Sequence, residues 1–515
     1  MQQENIKTVV IIGGGTAGWM TAAALSKACG GSVTIKLIEA EDISPVGVGE
    51  STIPMIRLFN QLLGVDENEF MRECQATFKL GIELCDWGRI GERYMHAFGT
   101  IGHRSAILPF NHYWLKMQQA AGSSNKAPDL WDCSINASAA KAQRFMRADP
   151  SLGNSPLAEI VHAFHIDAGL YARYLRRYAE AHGVQRIQAR VLDAQLRGGD
   201  GHVQSVRLAD GSLVGGDLFI DCSGFRALLI EQTLHTGYEH WNQWLPCDRA
   251  VVVQSANGPE LPPFTRATAR PAGWQWRIGL QHRVGNGHVY ASSAMSDDEA
   301  AALLMRNIDG EALTEPRVLN FTSGRRRKIW NRNVVAIGLS AGFMEPLEST
   351  AIHLVQSGIL RLIQFFPHAG FDAADIAEFN RQCDFETERI RDFLILHYHA
   401  TTRSDSEFWN HCRTMDVPAT LKDKLALYRS SGRIVRHGDE LFSEVGWLQV
   451  LHGQGERPAT YHPLADALPE GEIAEYLENT RSVIERCVAQ MPSHADFIAK
   501  NCAAPVLEEQ ETCST

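Results

Sequence analysis

Lys79 stands in the stretch Ala76-Thr77-Phe78-Lys79-Leu80-Gly81-Ile82. An ammonium set among apolar side chains is open to partial desolvation, which tunes a lysine as donor and nucleophile. The same local pattern also suits a lysine whose stem packs while its head reaches water. Glu345 and Glu348 lie three apart at an expected helix start, where exposed amides and the helix dipole favour anions, and either or both also suit simple capping. Trp274, Trp276 and Ile278 alternate, so a strand there carries all three on one face as a bulky apolar wall, or as an ordinary aromatic core strand. Gly13, Gly15 and Gly18 spell G-x-G-x-x-G around Thr16 and Ala17. In that pattern the first glycine makes a tight turn, the second lets backbone approach a pyrophosphate, and the third packs helix on strand.

The elements that must position these groups begin with a β-turn-α unit. Thr8 to Ile12 is a β-branched strand, Gly13 to Gly18 the turn, and Trp19 to Ala28 a helix ending before Gly30-Gly31. A second strand, Val33 to Ile38, is closed by Glu39, at the distance where a carboxylate meets ribose hydroxyls. Asp167 can cap a helix running to His182, closed by Gly183. The Val191 strand, the Ala209-Asp210-Gly211-Ser212 hairpin, the buried strand and its closing turn Leu218 to Phe225, and the strand Val334 to Gly338 extend the same nucleotide fold. From about residue 355 helical periodicity dominates: Ile359 to Phe366, Ala373 to His399, Leu421 to Ser430 and Glu470 to Gln490.

With 515 residues the chain can bury a large core, and a net charge of -11 argues against a general nucleic-acid binder. The one dense basic run, Arg325-Arg326-Arg327-Lys328, reads as a solvated loop or strand edge. Eleven cysteines lie without CxxC pairs or partner-histidine spacing, so they read as reduced thiols and no metal site is expected. No signal peptide precedes Val9 and no apolar run spans a bilayer, which makes a cytoplasmic enzyme the default.

Four motifs in order make the whole chain resemble the flavin-dependent tryptophan halogenase family. They are Val48-Gly49-Glu50-Ser51-Thr52-Ile53-Pro54, the Lys79 segment, Asp221-Cys222-Ser223-Gly224-Phe225-Arg226, and Phe343-Met344-Glu345-Pro346-Leu347-Glu348-Ser349-Thr350. Trp274-Gln275-Trp276-Arg277-Ile278 resembles the family's WxWxIP signature, with Gly279 in place of proline. The resemblance implies an α/β, FAD-binding Rossmann-like flavoprotein monooxygenase-type fold with a mostly helical substrate-binding C-terminal part. It divides the chain into a discontinuous FAD module, 1–355, with substrate-side insertions near 85–165 and 240–330, a helical part, 356–505, and a loose tail, 506–515.

The same resemblance assigns roles. Gly13, Gly15, Thr16, Ala17, Gly18, Glu39, Gly49, Glu50, Val191, Gly338 and Leu339 would hold FAD, used as FADH2 from a separate flavin reductase. Thr350 and Ala351 would offer amides to the halide, although Ala351 replaces the usual glycine and disfavours a left-handed backbone. Trp274 and Trp276 would wall the flavin side against the organic substrate. Hypohalous acid formed with O2 and halide would reach Lys79, which hydrogen-bonds it or becomes a haloamine, while Glu348 orients the oxidant and takes the ring proton. His96, Phe98 and Trp447 would hold the arene, with Ala97 in place of a usual proline. The expected tyrosine pair before Trp447 is missing, which brings free or substituted indole level with tryptophan as substrate. A homodimer follows from the family alone. A flavin monooxygenase that hydroxylates an arene, a halogenase of carrier-tethered substrates, and a flavin-binding scaffold are the alternatives.

Overall fold

The computed structural model describes residues 4–40, 49–102, 108–120 and 127–507. Val48 and the tail from 508 onward lie outside them. Its first layer is a six-stranded sheet ordered Trp330–Asn331, Val334–Ala336, Leu218–Asp221, Thr8–Ile12, Thr34–Glu39 and Gln185–Gln188. All pairings are parallel except the first, at the edge. Val9, Val10 and Ile11 are fully buried, as an apolar run needs when helices cover both faces of a parallel sheet. The helix Thr16–Cys29 opens directly after Gly15 and closes at the left-handed Gly30, so it starts one turn before the expected Trp19. Asp167 accepts the amide of Leu170 and caps Ala168–Ala181 as its sequence indicates. This is a Rossmann-like α/β fold.

A second layer is a seven-stranded, mainly antiparallel sheet that runs from Arg317–Asn320 through Arg249–Ser255, Val284–Tyr290, Gly273–Gly279, Thr265–Arg270 and Gly81–Cys85 to Arg93–Ala97. Trp274, Trp276 and Ile278 share its inner face with the apolar sides of the C-terminal helices, including Phe393, Trp409 and Trp447. Between the two layers lies a small sheet in which Gly49–Ser51 and Thr77–Lys79 both pair with Ala163–Asp167. It holds the strand that ends on Lys79 and the segment that begins at Gly49 on the two sides of Ala163–Asp167.

Two helices, Ala373–His399 and Glu470–Gln490, keep the bounds read from periodicity. The helix expected from Ile359 instead runs Ala351–Gln364, because the chain turns through a 3-10 segment at Pro346–Glu348 and a left-handed Ser349 (φ 60°) before it can wind regularly. The basic run is solvated as expected only at Arg327 and Lys328, which are exposed. Arg325 and Arg326, on the strand Gly324–Arg326, are instead buried, Arg325 among Glu239, Asp384 and Glu388 and Arg326 against Glu231, since a buried guanidinium needs a carboxylate partner. The ten described cysteines are free thiols. Among the described residues no helix is long and apolar enough to cross a membrane.

Candidate active site

A cleft of about 530 Å3 opens at the carboxyl ends of the parallel strands, where open α/β sheets bind ligands. Gly13, Gly15, Thr16, Ala17, Glu39, Glu50, Val191, Gly338 and Leu339 line it, whereas Gly18 and Gly49 do not. Gly13 adopts φ 110° and lies so close to Cys222 that a Cβ would sit 2.3 Å from its carbonyl oxygen. Gly18 works through packing, because a Cβ there would meet the carbonyl of Gly13 at 1.9 Å. A Cβ on Gly15 would meet nothing within 4 Å, and the helix that Gly15 starts has no side-chain cap. An uncapped helix N-terminus facing open space is what a pyrophosphate requires, so these residues fit FAD. Glu39 is held at the rim by the Trp19 indole N–H (3.2 Å) and by Arg186. Burial pushes the Glu50 carboxyl up to about 7.

Lys79 is fully buried, at the end of the small central sheet. Its Nζ donates to the carbonyl of Thr52 (3.1 Å) and to Ser349 Oγ (2.9 Å), and stands 5.2 Å from the centre of the Phe98 ring. Burial drives its pKa down to about 7, against the opposing pull of Glu348. The Glu348 carboxylate is equally enclosed. Burial alone would raise it, but His96 Nδ1 at 2.7 Å and His397 Nε2 at 2.8 Å hold it at about 2. The His397 approach is close in distance but falls short of hydrogen-bond direction. His397 Nδ1 faces the Phe393 carbonyl one helical turn back, which fixes the ring.

The segment 348–351 joins the two chambers. Glu348 faces the lysine side, Ser349 binds Lys79, Thr350 is buried, and Ala351 lines the flavin cleft as the first residue of its helix. Ala351 carries no positive φ; the left-handed residue is Ser349, so alanine is unstrained at 351.

Trp274 and Trp276 stand back from the cleft lining, with ring centres 5.9 Å apart. Trp274 Nε1 donates to Glu345 Oε2 (2.7 Å), which also accepts Tyr398 OH. The wall is thereby tied to the residue that precedes the 3-10 segment Pro346–Glu348, and burial raises Glu345 to about 7. Gly279, standing where proline was expected, accepts a hydrogen bond from Thr77 Oγ1 through its carbonyl (2.7 Å).

The structure brings His96 and Phe98 to Glu348 and Lys79 from the strand Arg93–Ala97 and its continuation. The His96 ring packs against Phe393 (5.4 Å) and Phe442 (6.1 Å), which stack on each other at 3.9 Å. Trp447 packs edge-on against Phe393 at 5.0 Å, and its indole N–H is buried without a partner. Gly446 allows this approach, since a Cβ there would meet His96 Nε2 at 2.9 Å. Sequence reasoning missed Thr52, Ser349, His397 and Tyr398. The signal for the last two was a polar pair inside the apolar run Phe393-Leu394-Ile395-Leu396-His397-Tyr398.

Fold and cleft define a dinucleotide-binding flavoprotein in which a buried lysine–carboxylate pair lies beside the cofactor chamber. A family model described as tryptophan halogenase matches residues 8–470. Tryptophan 6-halogenase SttH of Streptomyces toxytricini is 34% identical over 97% of this chain and 99% of its own. The solved structure of Xcc4156, a flavin-dependent halogenase from Xanthomonas campestris, superposes with TM-score 0.94 at 47% identity, covering 98% of this chain and 100% of that one. BrvH, a flavin-dependent halogenase from Brevundimonas sp. BAL3, gives 0.92 at 46% over 97% and 99%. The chain belongs to the tryptophan halogenase family and is an FAD-dependent oxidoreductase.

Proposed function

We propose that this enzyme halogenates a small indole-type arene that lacks an amino-acid group, using Lys79 to carry the halogen and Glu348 to take the ring proton. The observation that carries the reading is the convergence of Lys79, Glu348, His96 and Phe98 in one enclosed site, with the amine at about 7. When bound, reduced FAD from a separate flavin reductase would supply, with O2 and halide, the hypohalous acid. The first turn of the helix starting at Ala351, with Thr350 before it, holds the halide by its amides. At neutral pH a fraction of Lys79 is free amine. It displaces hydroxide from hypohalous acid to give a haloammonium N–X bond, and the arene then takes X+ and returns the free amine. The proton leaves the cationic ring for Glu348 and goes on to the hydroxide as water. Such a proton is acidic enough for even a carboxylate at about 2 to accept it, and His96 and His397 hold that carboxylate charged and aimed. Ring selectivity follows from which carbon is held nearest Lys79.

The substrate reading rests on the surroundings of Trp447. The cation over that ring, Lys424 at 5.0 Å, is already engaged with Glu440 (3.0 Å) and the Val435 carbonyl (2.6 Å), and the adjoining surface is the Phe393–Phe442 stack. A substrate carboxylate would find little to pair with there. We read 1–355 as the flavin module and 356–505 as the part that completes the substrate pocket, and we infer a cytoplasmic homodimer, tested by fractionation and by sedimentation.

Supplying FAD, a flavin reductase, NADH, O2 and chloride or bromide with indole or tryptophan tests the function by mass spectrometry. Halogen isotope patterns on indole in excess over tryptophan are expected. An oxygenated product independent of halide would overturn the reading in favour of a monooxygenase.

A further inference from the structure

The seven-stranded sheet has a second, polar pocket of about 340 Å3 on the face opposite the tryptophan wall. Alternation along Gly273–Gly279 turns Gln275 and Arg277 away from Trp274 and Trp276, and the neighbouring strand Thr265–Arg270 adds Arg266 and Arg270 in register. Arg93 completes four guanidinium groups around one concavity. Three of them have carboxylates: Arg266 meets Glu83 at 3.0 Å, Arg93 the same residue at 3.9 Å, and Arg277 meets Asp309 at 2.7 Å.

Arg270 is different. Among the described residues it forms no ion pair; its Nε donates to Gln275 Oε1 at 2.9 Å. That bond fixes the amide of Gln275, so that its Nε2, on a residue only 6% exposed, is left as a buried donor with no partner. Burial also holds the Arg270 guanidinium below its ordinary pKa, with Arg403 adding to the effect and Asp86 and Cys85 opposing it. A buried donor without an acceptor, beside a half-buried cation that no carboxylate meets directly among the described residues, is costly unless an acceptor arrives from outside. We propose that this pocket binds a small oxyanion, a carboxylate or phosphate, recognised by the Arg270 guanidinium and the Gln275 amide. The planar guanidinium fork suits two oxygens of such a group, and Gln275 Nε2 supplies a further donor. The site is separate from the flavin cleft and from the Lys79 chamber, since no residue of its lining belongs to either.

The test is calorimetric titration of the flavin-loaded full-length enzyme, in chloride-free buffer at constant ionic strength, with succinate and separately with inorganic phosphate. At least one should give a saturable isotherm, and which one does identifies the head group. Arg270→Gln should weaken it by about tenfold or more. Gln275→Glu is nearly isosteric and places a carboxylate beside Arg270; it should raise the melting temperature of the free enzyme and abolish saturation. Halogenation of indole, run with bromide but without succinate or phosphate, should be unchanged in both variants, which shows that they fold. Absence of saturation with either anion in the unmodified enzyme, or equal binding by all three proteins, would overturn the proposal.

Discussion

Burial lowers the amine of Lys79 to about 7, and the charge of Glu348 works against that shift. Each residue therefore sets the condition of the other. If the free amine carries the halogen, the halogenation rate should rise with pH through a midpoint near 7. Glu348→Gln removes the charge that holds protons on the lysine, so the midpoint of its residual activity should move to lower pH; an unmoved midpoint would assign the titration to another group. The same variant loses the proton acceptor, so its rate should fall on the order of 10²–10⁴-fold. Lys79→Ala should load FAD normally, as read by its absorbance, and still consume NADH and O2, while losing product. Equal halogenation by that variant would refute the role given to Lys79.

At the scale of elements, the strand Val284–Tyr290 decides how the tryptophan wall seats. Gly287 lies opposite Trp276, and a Cβ there would stand 2.1 Å from the indole ring. Gly287→Ala should displace that ring and cost about 1–3 kcal/mol, read as a lowered melting temperature, with flavin loading retained. The glycine loop, the Asp167 cap and the two long helices were legible in sequence because each is encoded within a few residues by turn chemistry, capping or 3.6-residue period. The site was legible only in part. Lys79 and Glu348 carry suggestive chemistry, but what unites them is Ser349 reaching across from a distant segment, and Thr52 arriving through a sheet assembled from three remote strands. His397 gave still less signal, since a histidine within an apolar helix is more often a packed residue than a carboxylate's partner. The helix start at Ala351 was read too late, at Ile359, because Ser357 and Gly358 interrupt the apolar pattern, whereas the chain already winds regularly once past the left-handed Ser349.

For the molecule as a whole, buried titratable groups set how stability follows pH. Glu67, Glu348 and Glu386 are held near 2, in each case because neighbouring histidines or arginines outweigh burial. Their folded forms bind fewer protons than the unfolded chain between about 2 and 4.5, so this stability is present above that window and lost as pH falls through it. Burial lowers His112, His282, His288 and His494 to about 4 and His452 to about 3, which adds stability as pH rises toward 6.5. Glu50 and Glu345, raised by burial to about 7, work the other way. Between about 4.5 and 7 each binds a proton in the folded state that the unfolded state has released, and stability is lost as pH rises. Five histidines outweigh two carboxyls, so the melting temperature should climb from acid to about pH 6.5, less steeply than the histidines alone would dictate. Glu345→Gln keeps an acceptor for Trp274 and Tyr398 but cannot ionise. Its melting temperature relative to the unmodified enzyme should therefore improve between pH 5 and pH 7, and a constant difference across that range would show that Glu345 does not titrate there.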